Sequence, residues 1–351
     1  MPDSSGRLSL SFANKNRLRI GLISDTHEAE NPADLIATLA SQKCDLYVHL
    51  GDIGGSRLAS KLVREFKQTL GNLDHLSQSE RGRFEDLRMQ GMPPMWAYIE
   101  TKLGADSEAR EKRAAEARES YLEVLRAMNM LSNVIMVSGN IDNSLLRTHV
   151  LGSDMNEECP RLVSEPELLD LGSRAIIVWP SIKNPSPAIA ARVHDLLDSF
   201  TQSVRGKEQV IVFAHEQIYK GPSPARYKEN VEAAGLQATT VPRYEPNPCW
   251  RKLLHLFRSL KPSQDAAMVY GHVHDPHQVI QAGAPYLKGS SSQGLRYRLH
   301  GLGSKEATQA PGRNGRRTVR LFTIPADAVC VLHLTPRRMR LETVYAGSRG
   351  C

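Results

Sequence analysis

Apolar runs that end in polar side chains recur along the chain and predict buried strands. The first three runs cover residues 19–24, 45–50 and 133–138. Continuous apolar runs of about four to eight residues are typical of strands that are covered on both faces. The later candidates are 174–179, 209–214 and 267–270, followed by short ones at 278–280, 285–287, 318–323, 328–334 and 339–344.

Segments with helical spacing separate these runs. Leu35, Ile36 and Leu39 share one face of a helix that we predict over residues 31–41. Further helices are predicted over residues 107–130, 187–202 and 248–259. Strands that alternate with helices predict an α/β fold.

The segment between the second and third predicted strands is much longer than one crossover helix requires. Its later part, residues 107–130, is rich in Ala, Glu, Arg and Leu, and Pro93 and Pro94 separate it from an earlier, more polar part. We therefore predict a helical insertion over about residues 55–130.

Composition narrows the class of protein. The chain has 351 residues, 40% of them hydrophobic, and no apolar run approaches the roughly 20 residues that span a bilayer. The five cysteines are scattered without a C-x-x-C pair, which favours reduced thiols and predicts a cytoplasmic protein without membrane contact. We expect residues 1–17 to form a disordered tail and residues 301–317 to form a basic, Gly-rich loop.

The net charge of +7 favours anionic partners. Much of the excess lies in arginines late in the chain, and aromatic residues do not interleave densely with them. We interpret these arginines as a solvated basic face, so nucleic acid stays open as a partner without being favoured.

Polar residues that can bind metal follow most of the predicted strands. Because ligands bind at the carboxyl ends of strands in open α/β sheets, we expect these side chains to meet. Two aspartates, one amide and four imidazoles suit Mn, Fe, Zn or a similar first-row ion, and seven ligands suit two ions better than one. The candidate ligands are Asp25, His27, Asp52, Asn140, His215, His272 and His274.

Alternatives stay open for single residues. Asp25 taken alone is as well explained as a helix N-cap. His49 lies inside an apolar run and is interpreted as a packed or supporting histidine. Asp142 is interpreted as a turn residue or as a support for the ligands. His277 is interpreted as a strand residue outside the site.

Five motifs resemble those of the calcineurin-like metallophosphoesterase superfamily, and the pattern is most similar to its small bacterial and archaeal phosphodiesterase branch. The resemblance spans about residues 18–290. A second Gly-Asn-x-Asp sequence begins at Gly71, but no apolar strand precedes it. The motifs are Asp25-Thr26-His27, Gly51-Asp52, Gly139-Asn140-Ile141-Asp142, His215 and Gly271-His272-Val273-His274, in the superfamily's order.

The resemblance implies a fold and a set of roles. The fold would be a four-layer αββα sandwich of two mixed sheets flanked by helices, here a metallophosphoesterase domain over residues 18–345. Two divalent metal ions would be bound, and a metal-bridging hydroxide would be the nucleophile that hydrolyses a phosphoester. The implied ligand sets are Asp25, His27 and His274 for one ion, Asn140, His215 and His272 for the other, and Asp52 as the bridge.

Ile141 departs from the superfamily pattern. Many members have a histidine at this position, which contacts the phosphate and is thought to assist the leaving group. Isoleucine cannot donate a proton. We therefore predict phosphodiesters or other esters with good leaving groups as substrates, and no catalytic group beyond the metal-bound hydroxide.

Three functions stay open at this point. The seven ligands favour a metal-dependent phosphoesterase, because histidines and aspartates clustered without metal would repel one another or be left unsatisfied. Ile141 and the insertion would also suit a catalytically weak scaffold that binds another protein. The basic balance would suit a nuclease, whose binding to nucleic acid would depend on salt.

Overall fold

The computed structural model describes more than half of the chain, and the structural statements below concern those residues. The described residues are 12, 15–29, 31–55, 61–62, 65–66, 73–90, 92, 94–104, 107–139, 142, 162–163, 165–182, 187–216, 253, 255–257, 259–261, 263–271, 295–300, 317–324, 326, 328–336 and 338–345.

Twelve strands of the described chain form two six-stranded sheets. The first sheet has the order β12-β11-β1-β2-β3-β4, and the second has the order β5-β6-β7-β8-β10-β9. The strands of the first sheet are β1 Leu18–Ile23, β2 Leu46–His49, β3 Val134–Val137, β4 Leu162–Val163, β11 Ala328–Thr335 and β12 Arg338–Tyr345. Those of the second are β5 Glu167–Leu171, β6 Arg174–Trp179, β7 Gln209–Ala214, β8 Asp265–Tyr270, β9 Leu295–His300 and β10 Arg317–Thr323.

Both sheets are mixed. In the first, β1 to β4 are parallel neighbours, whereas β11 pairs antiparallel with both β1 and β12. In the second, only the β5–β6 pair is antiparallel. The carboxyl ends of β1, β2 and β3 therefore share one edge, as do those of β6, β7 and β8.

Helices cover the outer faces of the two sheets. Between the sheets lies an apolar layer that includes Leu22 and Val48 from the first and Phe213 from the second. The predicted αββα sandwich of an α/β fold is confirmed. The described helices are α1 Pro32–Ser41, α2 Gln78–Met89, α3 Pro94–Leu103, α4 Ser107–Asn129 and α5 Pro187–Ser203, with a short 3₁₀ helix at Thr26–Glu28. None of them is long and apolar enough to cross a membrane.

The predicted insertion divides into two parts. Helices α2 and α3 pack on each other around a separate apolar cluster that includes Phe84 and Tyr98. Helix α4 instead packs beside α1 on the outer face of the first sheet, where Tyr121 and Met128 are buried. Helix α4 is thus the crossover between β2 and β3, whereas α2 and α3 share an apolar cluster of their own.

The end of the predicted N-terminal tail is part of the fold. Phe12 is 3% exposed and belongs to the apolar layer between the sheets. The guanidinium of buried Arg174 donates to the carbonyl oxygens of Lys15 and Asn16 at 2.7 and 2.8 Å, and to Gln209 Oε1 at 2.9 Å. These bonds hold the segment before β1 against the second sheet.

Candidate metal centre

The loops that follow β1 and β2 bring three predicted ligands together. Ile23 and His49 are register partners at the ends of these parallel strands, so the residues after them emerge side by side. Asp25, His27 and Asp52 each place one ligand atom within 4.8 Å of the others. Both aspartates are buried and His27 is partly buried. Two carboxylates and an imidazole converging in this way are a donor set that suits a first-row divalent ion.

Both aspartates have a left-handed backbone. The φ angle is +55° at Asp25 and +55° at Asp52, and Gly51 has a φ of +99°. Residues other than glycine adopt positive φ uncommonly, and such conformations concentrate at functional sites where the surrounding structure enforces them. The backbone conformations at Asp25 and Asp52 are therefore enforced by the surrounding structure and not by the local preference of aspartate.

Every backbone polar group of residues 51–53, the Asp52 loop, has a partner. The Gly51 carbonyl accepts from Asp25 N at 3.0 Å, and the Asp52 carbonyl accepts from His27 N at 3.3 Å. Gly51 N donates to His49 Nδ1 at 3.1 Å, and the Ile53 carbonyl accepts from the Thr26 hydroxyl. The remaining two N–H groups, those of residues 52 and 53, donate to one carboxylate, which belongs to Asp142.

Asp142 holds the Asp52 loop against the end of β3. Its carboxylate accepts from Asp52 N and Ile53 N at 2.9 Å each and from Gly139 N at 2.7 Å. The side chain is fully buried, and burial together with the Asp52 carboxylate raises the pKa of Asp142 to about 7. Asp142 therefore supports the loop that carries the candidate ligand Asp52, and support of this kind is one of the two roles predicted for it.

Close packing against the aspartates requires glycine at two positions. A Cβ atom on Gly139 would overlap the Asp52 backbone nitrogen and Oδ1, and one on Gly271 would overlap the Ser24 side chain and Asp25 Oδ2. The ends of β3 and β8 thus lie directly against the two loops.

Two histidines are fixed in the tautomer that a metal ligand needs. His27 Nδ1 lies 3.2 Å from the Asp52 carbonyl, and His215 Nδ1 lies 3.0 Å from the Leu50 carbonyl. Since a carbonyl oxygen only accepts, each Nδ1 carries the proton and donates. The lone pair of each neutral ring is then on Nε2, and metal-binding histidines are commonly oriented in this way.

His215 adds the second sheet's contribution to the cluster. Its Nε2 lies 3.2 Å from Asp52 Oδ2, and both side chains are buried. Burial opposes the charged imidazole, but the Asp52 carboxylate outweighs it and raises the pKa of His215 to about 9. The pKa of Asp52 is lowered, since burial is outweighed by His215. In a neutral His215 ring, the Nε2 lone pair would face the negatively charged Asp52 Oδ2 and be repelled by it. A proton on Nε2 removes this repulsion, and a bound metal ion would do so in its place. The donor set therefore fits a metal ion.

His49 is buried but both of its ring nitrogens are already engaged. Nδ1 accepts from Gly51 N, and Nε2 lies 2.8 Å from the Thr26 hydroxyl. Burial lowers the pKa of His49 to about 3, so the ring is neutral. It supports the loop and is not among the clustered ligand atoms, in line with its interpretation from the sequence.

Three predicted ligands, Asn140, His272 and His274, lie outside the described residues, as do Ile141, His277 and the Gly71-Asn72 pair that begins the second Gly-Asn-x-Asp sequence. Their assignment stays a prediction. Thr26 and Ser24 were not predicted to support the site. The Ser24 hydroxyl donates to Asp25 Oδ2 at 2.5 Å. The position of both residues beside a candidate ligand in the Asp-x-His motif was the available signal.

A comparison with protein-family profiles matches the first part of the chain. Residues 18–122 match the profile of the calcineurin-like phosphoesterase superfamily domain. The segment that carries Asp25, His27 and Asp52 therefore has the sequence signature of that superfamily. No curated protein sequence matches the chain significantly.

Similar solved structures have low sequence identity. GAP50, the anchor in the inner membrane complex of Plasmodium, is 10% identical with a TM-score of 0.42, over 95% of this chain and 85% of that one. A predicted phosphoesterase from Streptococcus pneumoniae is 10% identical with a TM-score of 0.30, over 95% and 91% of the two chains. The purple acid phosphatase PPD1 from yellow lupin is 12% identical with a TM-score of 0.30, over 75% and 39%.

Proposed function

We propose that this protein is a phosphoesterase that depends on two divalent metal ions and hydrolyses a phosphodiester. The observation that carries the proposal is the cluster of Asp25, His27, Asp52 and His215, in which only His27 is partly exposed, at the carboxyl ends of strands from both sheets. Its position follows the rule for ligand sites in α/β sheets. The superfamily match of residues 18–122 supports the same class of chemistry.

The described side chains have separable tasks in this proposal. Asp52 lies within reach of both His27 and His215, so it would be the ligand that two ions could share. His27 and His215 would each bind through Nε2, because a backbone carbonyl holds the proton on Nδ1. When bound, two such ions supply Lewis acidity and lower the pKa of water. Asn140, His272 and His274 would complete the ligand sets.

The preference for a diester depends on Ile141. An isoleucine there cannot protonate a leaving group, so a substrate whose leaving group needs no proton should be hydrolysed best. Phosphodiesters with good leaving groups meet this condition better than alkyl monoesters. The natural substrate would be set by the loops around the site.

The test compares bis-p-nitrophenyl phosphate with p-nitrophenyl phosphate after the protein has been stripped of metal and resupplied with Mn²⁺. We expect metal-dependent turnover that favours the diester and is lost in Asn140→Ala and His215→Ala. His333→Ala is the matched control, because His333 lies on β11 and pairs with Glu342 away from the cluster. Turnover that survives His215→Ala, or that needs no metal, would contradict the proposal.

Two other outcomes would point to the remaining alternatives. A protein that neither binds Mn²⁺ nor turns over either ester would favour the scaffold. The net charge of +7 favours a nuclease as the second candidate function. Metal-dependent cleavage of DNA or RNA that outpaces the small diester, with binding that weakens steeply as salt rises, would establish it.

A further inference from the structure

A chain of hydrogen bonds connects the two loops that hold the aspartates. It begins at Gly51 N, passes through His49 to the Thr26 hydroxyl, and ends at the Ile53 carbonyl. All the side chains in it are buried, with His49 at 0% and Thr26 at 1% exposure. None of these groups is required by the proposed chemistry, since none is a candidate ligand.

The direction of each bond follows from the donors available. Gly51 N can only donate, so His49 Nδ1 accepts and the ring proton is on Nε2. The Ile53 carbonyl can only accept, so the Thr26 hydroxyl donates to it and accepts from His49 Nε2. The neutral His49 ring and the Thr26 hydroxyl thus connect Gly51 N to the Ile53 carbonyl by three hydrogen bonds, which fit only the Nε2–H tautomer of His49. We call this chain of hydrogen bonds the relay.

The relay contacts the residues that flank each aspartate. Gly51 and Ile53 lie on either side of Asp52, and Thr26 lies between Asp25 and His27. Asp25 and Asp52 both have the uncommon positive φ. A conformation of this kind persists only when its surroundings enforce it, and the relay acts on the neighbouring residues in both loops.

We infer that His49 and Thr26 are positioning residues that set the spacing between Asp25 and Asp52, and hence the affinity of the site for metal. The inference rests on the proposed function, because it assigns the relay a role toward the metal ions. Groups that orient metal ligands usually change metal affinity by roughly 10–100-fold when they are removed.

The experiment uses Thr26 because it allows a matched pair of variants. Thr26→Val keeps the shape and removes the hydroxyl, whereas Thr26→Ser keeps the hydroxyl. Val48→Ala is a control for destabilisation alone, since Val48 is a buried neighbour of His49 in β2 whose side chain takes no part in the relay. The full-length variants are titrated with Mn²⁺ by calorimetry, and their metal-free thermal unfolding is recorded.

We expect Mn²⁺ affinity to fall about 10-fold or more in Thr26→Val and to stay within about 3-fold of the wild type in Thr26→Ser and Val48→Ala. Equal losses in the valine and serine variants would overturn the inference. So would a loss in Val48→Ala that matches Thr26→Val, because the effect would then follow stability rather than the relay.

A second measurement separates this inference from the proposed function. Nitrogen NMR of the metal-free protein should show His49 as the Nε2–H tautomer, with its ring signals shifted in Thr26→Val and restored in Thr26→Ser. An Nδ1–H tautomer would overturn the relay even if the enzyme is active. A wild type with the expected His49 signals but no Mn²⁺ binding would overturn the proposed function, and with it the role assigned to the relay.

Discussion

The Asp52 loop and the helical hairpin of α2 and α3 both follow β2, but they are stabilised in opposite ways. The loop draws most of its hydrogen-bond partners from distant parts of the chain, including Asp142. The hairpin draws its partners from its own neighbourhood: Ser77 and Glu80 form a capping box on α2, and Lys102 contacts Glu80 at 3.1 Å. The conformation of the loop therefore depends on the assembled sandwich, whereas the hairpin is stabilised by contacts among its own residues.

The interior of the hairpin shows the same independence. Tyr98 is fully buried there, and its hydroxyl donates to Glu65 at 2.7 Å and lies 2.9 Å from His75 Nε2. Its apolar cluster is separate from the three clusters of the sandwich. Damage to the hairpin should therefore leave the metal centre intact, and damage to the loop should not.

The largest effect is expected from Asp142→Ala. The change leaves three buried N–H groups without their acceptor, which should lower the free energy of unfolding by about 4 kcal/mol. Tight Mn²⁺ binding should be lost as well. Urea unfolding and calorimetry measure the two effects, with Glu342→Ala as an exposed carboxylate control. Near-wild-type stability would show that the loop does not depend on Asp142.

Phe84→Ala tests whether the hairpin can be destabilised without an effect on the metal centre. Phe84 is 8% exposed and is part of the hairpin cluster, so its truncation should destabilise the hairpin by about 3 kcal/mol. Hydrogen exchange should show the loss in α2 and α3, while Mn²⁺ affinity stays within about 2-fold. A metal affinity that fell with hairpin stability would show that the two regions are coupled.

Tyr98→Phe is expected to have a smaller effect. It removes one hydroxyl that bonds to Glu65 and His75, which should cost about 1 kcal/mol. Protease cleavage near the hairpin should become faster without a change in turnover. The comparison would be weakened if turnover fell instead.

The smallest expected effect is a loss of stability in the hairpin at acidic pH, caused by protonation of Glu80. The backbone and side chain of Ser77, with Lys102, lower the pKa of Glu80 to about 2. A depressed carboxyl pKa stabilises the fold above the unfolded value of about 4.5, and this stability is lost as the pH falls toward 2. Hydrogen exchange of α2 should accelerate over that range in the wild type. Glu80→Gln should remove this part of the pH dependence, and an unchanged profile would contradict the assignment.

The sequence predicted the parts of the fold that have a strong local signal. β1, β2 and β3 are continuous apolar runs, and the Asp25 and Asp52 that end two of them do meet. β4 has two residues and β5 reads ELLDL, so neither has a run long enough to detect. The sequence also did not predict that α4 packs on the first sheet. The spacing of its apolar residues shows that one face is buried but does not specify which element covers that face.

The candidate ligands could be predicted from the sequence, but most of the hydrogen bonds that orient them could not. Metal-ligand residue types at strand ends indicated Asp25, His27, Asp52 and His215. The tautomers of His27 and His215 depend on carbonyls 25 and 165 residues away in the chain, which no local pattern reveals. Likewise Asp142 bonds across separations of 89 and 90 residues.

The pairing of β1 with β11 has a consequence for how the protein is made. Leu18 pairs with Leu334, so β1 receives this neighbour only after the long intervening part of the chain has been synthesised. Until then one edge of β1 presents unpaired backbone groups, which favour association with other chains. The centre of the first sheet is therefore completed only once β11 has been synthesised, and we expect folding to be slow and to benefit from chaperones.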